Sequence, residues 1–243
     1  MITLITVTYN AELTIERTLQ SVARQTCQDY EHLIIDGASK DGTLAMVRRY
    51  ASDRTTILSE PDKGLYDAMN KGLRLAKGDY ICFLNAGDKL HSPDTLQHVA
   101  DAAAKGEVGV VYGHTDIVDD EGRFLFPRRL VPPEELTWKS FRWGMLVCHQ
   151  SFYVNRNIAQ QYNLNYRFSA DFDWCIRSMK AGERQGLKNV YLHEPLSDYL
   201  SEGMTTQNHR ASLQERFQIM AKHYGLFSTI LRHIWFAVRQ AKS

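Results

Sequence analysis

The chain has 243 residues, of which 44% are hydrophobic and 23% charged, and its formal net charge is +1. This length and composition are typical of a soluble protein with one sizeable domain, and the small net charge predicts no nucleic-acid partner. The four cysteines are scattered without a C-x-x-C pair, which argues against a disulfide framework or a zinc site. The sequence shows neither an unbroken apolar stretch of about 18 residues that could span a membrane nor the pattern of a signal peptide. We therefore expect a cytoplasmic protein.

Short apolar runs alternate with helical patterns in the first half of the chain. Runs rich in β-branched and aromatic residues predict four strands, at 3–8, 32–35, 56–58 and 80–84. The spacing of apolar residues between the strands predicts three helices, at 12–25, 41–50 and 65–76. Strands separated by helices in this way are typical of an α/β fold with a mostly parallel, doubly wound sheet.

The second half is less regular. Its patterns predict strands at 108–118, 123–126, 151–154 and 190–196, and one helix at 171–179. Prolines at 127, 132 and 133 predict a loop between the second and third of these strands.

The C-terminal stretch has the pattern of an amphipathic helix. Its apolar residues recur on one face, at Leu226, Phe227, Ile230, Leu231, Ile234, Trp235 and Val238. Most of its basic residues lie on the other face, at Arg232, His233, Arg239 and Lys242. A helix of this kind either lies in a membrane interface or packs its apolar face on the protein's own core, and the sequence leaves both alternatives open.

Polar residues follow three of the four strands predicted in the first half. Thr8, Tyr9 and Asn10 end the first strand, Asp36 ends the second, and the turn 85–88 ends the fourth. The carboxyl ends of parallel strands meet in one crevice, where open α/β folds bind ligands. The sequence therefore predicts a binding site that these three turns share.

The turn 85–88 reads Asn85, Ala86, Gly87 and Asp88. A carboxylate in this place suits a hard divalent cation that binds together with a nucleotide diphosphate. An aspartate in an ordinary strand-to-loop turn is the alternative for Asp88.

Two further groups of residues suit a nucleotide. The carboxylate of Asp36 can accept the N3–H of a uracil ring, while Thr8 and Tyr9 can contact base or ribose; core packing is the alternative for Tyr9. In the polar segment 60–72, the side chains of Lys63, Asp67 and Asn70 could reach the ribose or the diphosphate, and exposed ion pairs are the alternative.

Four segments together resemble the family-2 glycosyltransferases of the GT-A fold. They read ITVTYN, LIIDGASKDGT, SEPDKGLYDAMNKGLRLAKGDYICFLNAGD and ADFDWCIR, and they follow that family's order and spacing over residues 2–177. The resemblance is to the branch that builds bacterial surface polysaccharides, such as the colanic acid and O-antigen enzymes. It implies a Rossmann-like, mostly parallel central sheet flanked by helices, here with a C-terminal helical extension.

The resemblance also implies a chemistry. Family members use a nucleotide-sugar, usually a UDP-sugar, and invert the anomeric carbon with the help of Mn²⁺ or Mg²⁺. Their D-x-D motif falls on Ala86, Gly87 and Asp88, so that only the last aspartate is kept as a metal ligand and Asn85 assists it. The family's E-D motif falls on Ala170 and Asp171, which makes Asp171 the general base for the acceptor hydroxyl.

The same resemblance assigns the remaining candidates. His149 and Gln150 fall near the donor or acceptor pocket, with a buried structural histidine as the alternative. Asp173 is the reserve base, and Trp174 either packs or stacks on an acceptor sugar. A C-terminal histidine that binds the metal in some relatives points to His209.

One family feature departs from the pattern and another is missing. Many relatives carry an Arg-Asn pair where this chain has Met69 and Asn70, so we assign the phosphate contact to Lys63. The Q-x-x-R-W motif of processive synthases is absent from the sequence, which predicts transfer of a single sugar.

The prediction is therefore an inverting, metal-dependent glycosyltransferase. Residues 1–120 would bind the nucleotide-sugar and residues 121–200 the saccharide acceptor. Residues 201–243 would form a helical region that either associates with the cytoplasmic membrane face or packs on the core. The acceptor would be a free or polyprenyl-diphosphate-linked saccharide. The alternatives are a nucleotide-sugar-binding scaffold without turnover and a sugar nucleotidylyltransferase, although the latter expects a glycine-rich loop after the first strand, where this chain has Thr8 to Glu12.

Overall fold

The structure is a computed structural model that describes residues 1–201 and 209–240. Its nine strands are β1 Ile2–Thr8, β2 Tyr30–Asp36, β3 Thr55–Ser59, β4 Tyr80–Phe83, β5 Lys89–Leu90, β6 Val108–Val118, β7 Phe124–Pro127, β8 Phe152–Asn155 and β9 Lys188–Leu200. Its helices are α1 Ile15–Ala23, α2 Thr43–Tyr50, α3 Leu65–Leu75, α4 Thr95–Ala103, α5 Ala170–Arg184, α6 His209–Tyr224 and α7 Leu226–Gln240. Two turns of 3-10 helix lie at Ser140–Trp143 and His149–Ser151.

The strands form one sheet in the order β3-β2-β1-β4-β8-β6-β9-β5, with β7 paired to β6. The first four strands are parallel, as the alternation of strands and helices predicts. Beyond β4 the sheet is mixed, because β8 runs antiparallel to β4 and β6 while β9 runs parallel to β6. The division of the chain near residue 120 stays a prediction, since strands from both sides of it share this sheet.

The central strand β1 is buried at all seven positions, as expected for a parallel strand that is covered on both faces. Its successive side chains point to opposite faces. Leu4 therefore packs in one core cluster with Leu96 of α4, while Ile5 packs in another with Met69 of α3.

Helices α4 and α6 were not predicted from the sequence. In α4, Leu96 and Val99 are the only large buried apolar residues, a stripe too narrow to stand out in the sequence. In α6, Ile219 and Met220 are buried next to polar residues that also point inward, such as Ser212. Burial of polar groups weakens the contrast between faces on which sequence-based recognition of a helix depends.

The strand order leaves a crevice beside β1. Strands β2 and β3 lie on one side of it and β4 on the other, so that the chain reverses its direction of winding between β1 and β4. Ligands bind in such α/β sheets at this point, beyond the carboxyl ends of the strands. The turn after β4 closes tightly there: Gly87 has φ +102°, and a Cβ atom on it would lie 3.0 Å from Cδ2 of Leu200.

The C-terminal helix α7 leaves most of its predicted apolar face exposed. Six of its large apolar residues are between 41% and 77% exposed, namely Leu226, Phe227, Ile230, Leu231, Ile234 and Trp235. The helix contacts the main core through Phe236 instead, and the side chain of Val238 lies outside the described part. Among the helices described over residues 1–201 and 209–240, none combines the length and the apolar character needed to cross a membrane.

Candidate active site

A cavity of about 300 Å³ opens at the carboxyl ends of β1 and β4. Six segments of the chain meet there: the end of β1, the start of α3, the turn after β4, the 3-10 helix at His149–Ser151, the start of α5 and the end of β9. Eight of the candidate residues line it, namely Thr8, Tyr9, Asn85, Ala86, Asp88, His149, Gln150 and Asp171. Residues from the two halves of the sequence therefore share one pocket.

Asp88 is a buried carboxylate at the wall of this pocket. Its Oδ2 accepts a hydrogen bond of 2.7 Å from Nε2 of Gln150, and its Oδ1 accepts one of 3.1 Å from the backbone N–H of Leu200. Burial raises the pKa of Asp88 to about 6, although these two hydrogen bonds act in the opposite direction. These hydrogen bonds and the positive charge of Arg17 offset burial only in part, and a cation in the pocket would favour the ionised carboxylate further.

Asp171 lies in the first turn of α5 and also lines the pocket. Its Oδ1 accepts a hydrogen bond of 3.3 Å from the hydroxyl of Tyr66, and its Oδ2 lies 3.4 Å from Nδ1 of His149. Burial raises its pKa, but the contact with His149 and the positive charge of Arg216 outweigh burial, so that the pKa of Asp171 lies below its ordinary value. Asp171 is therefore ionised at neutral pH, the state that a general base requires.

His149 connects Asp171 with the turn after β4. Its Nε2 lies 3.2 Å from Nδ2 of Asn85, and its Nδ1 faces Asp171. An imidazole protonated on Nδ1 can accept a hydrogen bond from Asn85 and point its own proton at Asp171. With the Asn85 amide assigned in this orientation, its carbonyl oxygen is left for another partner.

Two buried oxygen atoms of the pocket residues lack a partner among the described residues: Oδ1 of Asn85 and Oγ1 of Thr8. Buried polar atoms are nearly always hydrogen-bonded or bound to an ion, so both indicate a ligand. A hard divalent cation prefers carboxylate and amide oxygens. Asp88 and Asn85 therefore fit such a cation, and Thr8 fits a polar group of a ligand beside it.

Two candidate donor residues lie outside the pocket. Asp36 is fully buried, and its carboxylate accepts hydrogen bonds from the hydroxyls of Ser39 and Ser59. Asn70 is also buried and exchanges two hydrogen bonds with the backbone of Tyr162. In this structure both side chains form hydrogen bonds within the fold, and the geometry gives no support to their predicted donor contacts.

Four further candidates also lie outside the cavity lining. Asp67 accepts a hydrogen bond of 2.9 Å from the backbone N–H of Lys63 at the start of α3, while Lys63 itself is exposed. The side chain of Asn10 binds the backbone N–H of Lys40. Gly87 allows the turn after β4 to close tightly. Their predicted contacts with ribose or diphosphate therefore have no support from this geometry.

Asp173 and Trp174 point into the protein. The carboxylate of Asp173 is fully buried and lies 2.5 Å from Nε of Arg177 and 2.8 Å from Nε2 of His223. The indole of Trp174 is also fully buried and stacks on Tyr162. Asp173 therefore joins α5 to α6, which gives no support to its role as reserve base. Trp174 is a core residue without a free face for a sugar, which agrees with packing, the first of its two predicted alternatives.

A second cluster of side chains that could bind a metal lies outside the pocket lining. His91, Asp116 and Asp198 place ligand atoms within 4.8 Å of one another. However, Nζ of Lys89 lies 2.8 Å from Oδ2 of Asp198 and already balances part of the negative charge. The side chain of His209, the predicted further metal ligand, lies outside the described residues.

Sequence reasoning missed several residues of the lining, among them Tyr66, Arg167, Phe168 and Tyr199. Tyr66 lies inside the segment 59–88 that resembles the family, but the charged residues near it are the more obvious candidates. Nothing in the local pattern around Arg167 or Tyr199 marks them, since the fold alone brings these segments to the pocket.

Comparison with known proteins yields a family match. The profile of the family described as Glycosyl transferase family 2 matches residues 3–162. A PGL/p-HBAD biosynthesis glycosyltransferase of Mycobacterium tuberculosis is 32% identical over 217 residues, which cover 82% of this chain and 76% of that protein. The amylovoran biosynthesis glycosyltransferase AmsB of Erwinia amylovora is 29% identical over 207 residues, which cover 79% of this chain and 66% of that protein.

Solved structures share the fold. TarS 1-349 of S. aureus, crystallised with UDP-GlcNAc, superposes with a TM-score of 0.73 at 16% identity and covers 97% of this chain and 73% of its own. The mannosyltransferase PcManGT of Pyrobaculum calidifontis, in complex with GDP-Man and Mn²⁺, superposes with a TM-score of 0.62 at 18% identity. The match covers 98% of this chain and 75% of PcManGT. The expected fold class, a GT-A α/β fold, is confirmed by these neighbours.

Proposed function

Because the chain belongs to glycosyl transferase family 2, we propose that it is an inverting, metal-dependent enzyme that transfers one sugar from a UDP-sugar to a saccharide acceptor. The observation that carries this proposal is the pocket in which Asp88 and Asp171 meet, each held by one of two adjacent residues, Gln150 and His149. Structural neighbours that were solved with UDP-GlcNAc or GDP-Man support a nucleotide-sugar donor in general.

Asp171 and Asp88 have different roles in the proposed transfer, and Asp171 is the general base. The acceptor hydroxyl oxygen attacks C1 of the donor sugar from the side opposite the diphosphate, and the bond from C1 to the diphosphate oxygen breaks. The proton of the hydroxyl passes to Oδ2 or Oδ1 of Asp171, which is ionised and aligned by His149 and Tyr66. A single displacement of this kind inverts the anomeric centre, and the base contributes on the order of 10²- to 10⁴-fold to its rate.

Asp88 and Asn85 would hold the divalent cation, since they supply a buried carboxylate and an unpartnered amide oxygen. Such an ion, when bound, neutralises the charge that develops on the leaving diphosphate. The protein residues around it keep Asp88 oriented: Gln150 and the backbone N–H of Leu200 each occupy one carboxylate oxygen. The neighbour solved with Mn²⁺ supports this use of a metal.

For the acceptor we propose a saccharide on a polyprenyl diphosphate at the cytoplasmic face of the membrane, as in surface polysaccharide biosynthesis. The exposed apolar face of α7 supports membrane association. Trp143 extends this face, since its ring centroid lies 5.4 Å from that of Trp235, and Cζ of Arg232 lies 4.2 Å from the Trp143 ring. Apolar side chains bordered by cations suit an interface with anionic lipids. The four free cysteines agree with a reducing compartment.

The test is turnover by the purified chain. With Mn²⁺, a panel of UDP-sugars and a saccharide linked to polyprenyl diphosphate, we expect release of UDP that depends on both donor and acceptor. Product analysis by NMR should show the anomeric configuration inverted relative to the donor. Binding of UDP without release on any acceptor would instead favour a nucleotide-sugar-binding scaffold.

A further inference from the structure

Arg167 is the only lysine or arginine among the described residues that line the pocket. The lining also contains two carboxylates, Asp88 and Asp171. A substrate with a phosphate or diphosphate group brings further negative charge into this space. Positive side chains stabilise such a group, and a guanidinium binds phosphate oxygens in a bidentate manner.

The guanidinium of Arg167 is available for this contact. Its Cζ lies 5.6 Å from the ring centroid of Phe168, which also lines the pocket. Within residues 1–201 and 210–236, no carboxylate forms an ion pair with Arg167. Lys63, the residue that the sequence suggested for the phosphate contact, is exposed and lies outside the lining.

Glu215 of α6 holds the backbone that carries Arg167. Its Oε1 accepts a hydrogen bond of 2.7 Å from the N–H of Arg167, and its Oε2 accepts bonds of 2.8 and 2.9 Å from the N–H groups of Phe168 and Ser169. A carboxylate with both oxygens bound to the backbone stiffens the segment. Glu215 therefore fixes the position of Arg167 and has no oxygen directed at its guanidinium.

We infer that Arg167 is a phosphate-binding residue of this pocket and that Glu215 presents it by fixing the backbone of residues 167–169. This inference rests on the proposed function, because it deepens the description of the same site. The phosphate chemistry has two possible sources: the diphosphate of the nucleotide donor and the diphosphate that links an acceptor to its lipid.

The first arm of the test measures donor binding without turnover. Titration calorimetry with Mn²⁺ compares UDP with uridine on the wild-type protein, on Arg167→Gln, and on Arg24→Gln as a control at an exposed arginine outside the lining. If the donor is the source, Arg167→Gln weakens UDP roughly tenfold or more and leaves uridine unchanged, since a hydrogen bond to a charged group is lost. Arg167→Lys should keep part of the affinity.

The second arm measures transfer to two acceptors, the same saccharide linked to polyprenyl diphosphate or to an uncharged alkyl chain. If the acceptor is the source, Arg167→Gln leaves UDP affinity unchanged and raises KM for the diphosphate acceptor roughly tenfold. KM for the uncharged acceptor should then stay the same. Arg167→Gln that matches Arg24→Gln in both arms would overturn the inference.

Glu215 is tested as a positioning residue by a double-mutant cycle. Glu215→Gln should weaken the same ligand as Arg167→Gln, and the double variant should be no weaker than Arg167→Gln alone, because both act through one contact. A Glu215→Gln effect that adds fully to that of Arg167→Gln would reject this role. A wild-type protein that binds UDP but transfers no sugar would defeat the proposed function. The UDP arm alone would then decide the role of Arg167: weaker UDP binding by Arg167→Gln with unchanged uridine binding would support it, and UDP binding equal to that of Arg24→Gln would overturn it.

Discussion

Nε2 of Gln150 donates a hydrogen bond of 2.7 Å to Oδ2 of Asp88 across the pocket. The preceding residue, His149, lies 3.4 Å from Oδ2 of Asp171. One turn of 3-10 helix thus orients both carboxylates on which the proposed chemistry depends. Replacement of Gln150 should therefore disturb the orientation of Asp88, although Gln150 is not itself a predicted metal ligand.

Gln150→Leu should weaken Mn²⁺ binding roughly tenfold to a hundredfold, the usual effect of removing a group that orients a metal ligand. Mn²⁺ titration of thermal stability in the presence of UDP measures this affinity. The matched control is Gln97→Leu, because Gln97 is exposed on α4 and bonds Asp101. Equal Mn²⁺ affinity in Gln150→Leu and wild type would contradict the proposed site.

Asp171→Asn should reduce sugar transfer by about 10²- to 10⁴-fold, because an amide cannot take the proton of the acceptor hydroxyl. UDP affinity should stay at the wild-type value, since the change keeps the shape of the side chain and does not alter the turn after β4. UDP release and calorimetry provide the two measurements. Asp53→Asn, at an exposed loop position, serves as the control. Full turnover by Asp171→Asn would show that Asp171 is not the general base.

The pair His91 and Asp198 should make stability depend on pH. The hydrogen bond to Asp198 raises the pKa of His91 above 6.5, against the opposing effects of burial and of Lys89, while Asp116 adds to the rise. The stabilisation is therefore fully present below the unfolded-state pKa of about 6.5 and is lost as the pH rises through the higher folded-state pKa.

Urea unfolding at a series of pH values from about 6 to about 9 measures this effect over the range in which His91 titrates. The wild-type free energy of unfolding should fall across the range by more than that of Asp198→Asn, in which the pKa of His91 returns toward its ordinary value. The prediction fails if the two proteins show the same slope with pH.

The double change Phe227→Asp and Leu231→Asp should release the protein from vesicles that contain anionic lipids. Both side chains are exposed on α7, at 77% and 52%, and charged groups there oppose insertion into the interface. Transfer to a soluble acceptor should be unchanged. Leu75→Asp, at a 40% exposed leucine of α3, is the control. Vesicle flotation that gives equal binding for all three proteins would argue against membrane association through α7.

Trp174→Ala should lower the free energy of unfolding by about 3–5 kcal/mol, as is usual for removal of a large buried aromatic side chain. Trp174 contacts the rings of Phe83, Phe152 and Tyr162. Urea unfolding measures the loss, and Trp143→Ala at an exposed tryptophan should cost much less. A stable Trp174→Ala with a raised KM for the acceptor would restore the sugar-stacking role.

The sequence predicted the first half of the fold well, because local patterns carry the information there. Runs of apolar residues marked β1 to β4, and the helices between them imposed parallel pairing. Local reasoning from the end of a buried strand also led to Asp88, whereas Asp171 came from the resemblance to the family's E-D motif. The family and the fold class are confirmed; the roles of individual site residues stay predictions.

Local patterns could not distinguish polar residues at the pocket from polar residues inside the fold. Asp36 and Asp88 both follow buried strands, yet Asp36 meets two serine hydroxyls and Asp88 meets the pocket. Asp171 and Asp173 are two residues apart in one helix, so they project from different faces. Only the packing of distant segments decides which of two similar carboxylates remains accessible.

The sequence by itself determined the alternation of strands and helices in the first half of the chain and the parallel half of the sheet, because these depend on residues that are close together in the chain. Only the tertiary structure decided that Gln150 would hold Asp88, that Glu215 would bind the backbone beside Arg167, and that α7 would leave its apolar face exposed. These contacts join residues separated by long stretches of chain, and their partners are chosen by the packing of the whole molecule.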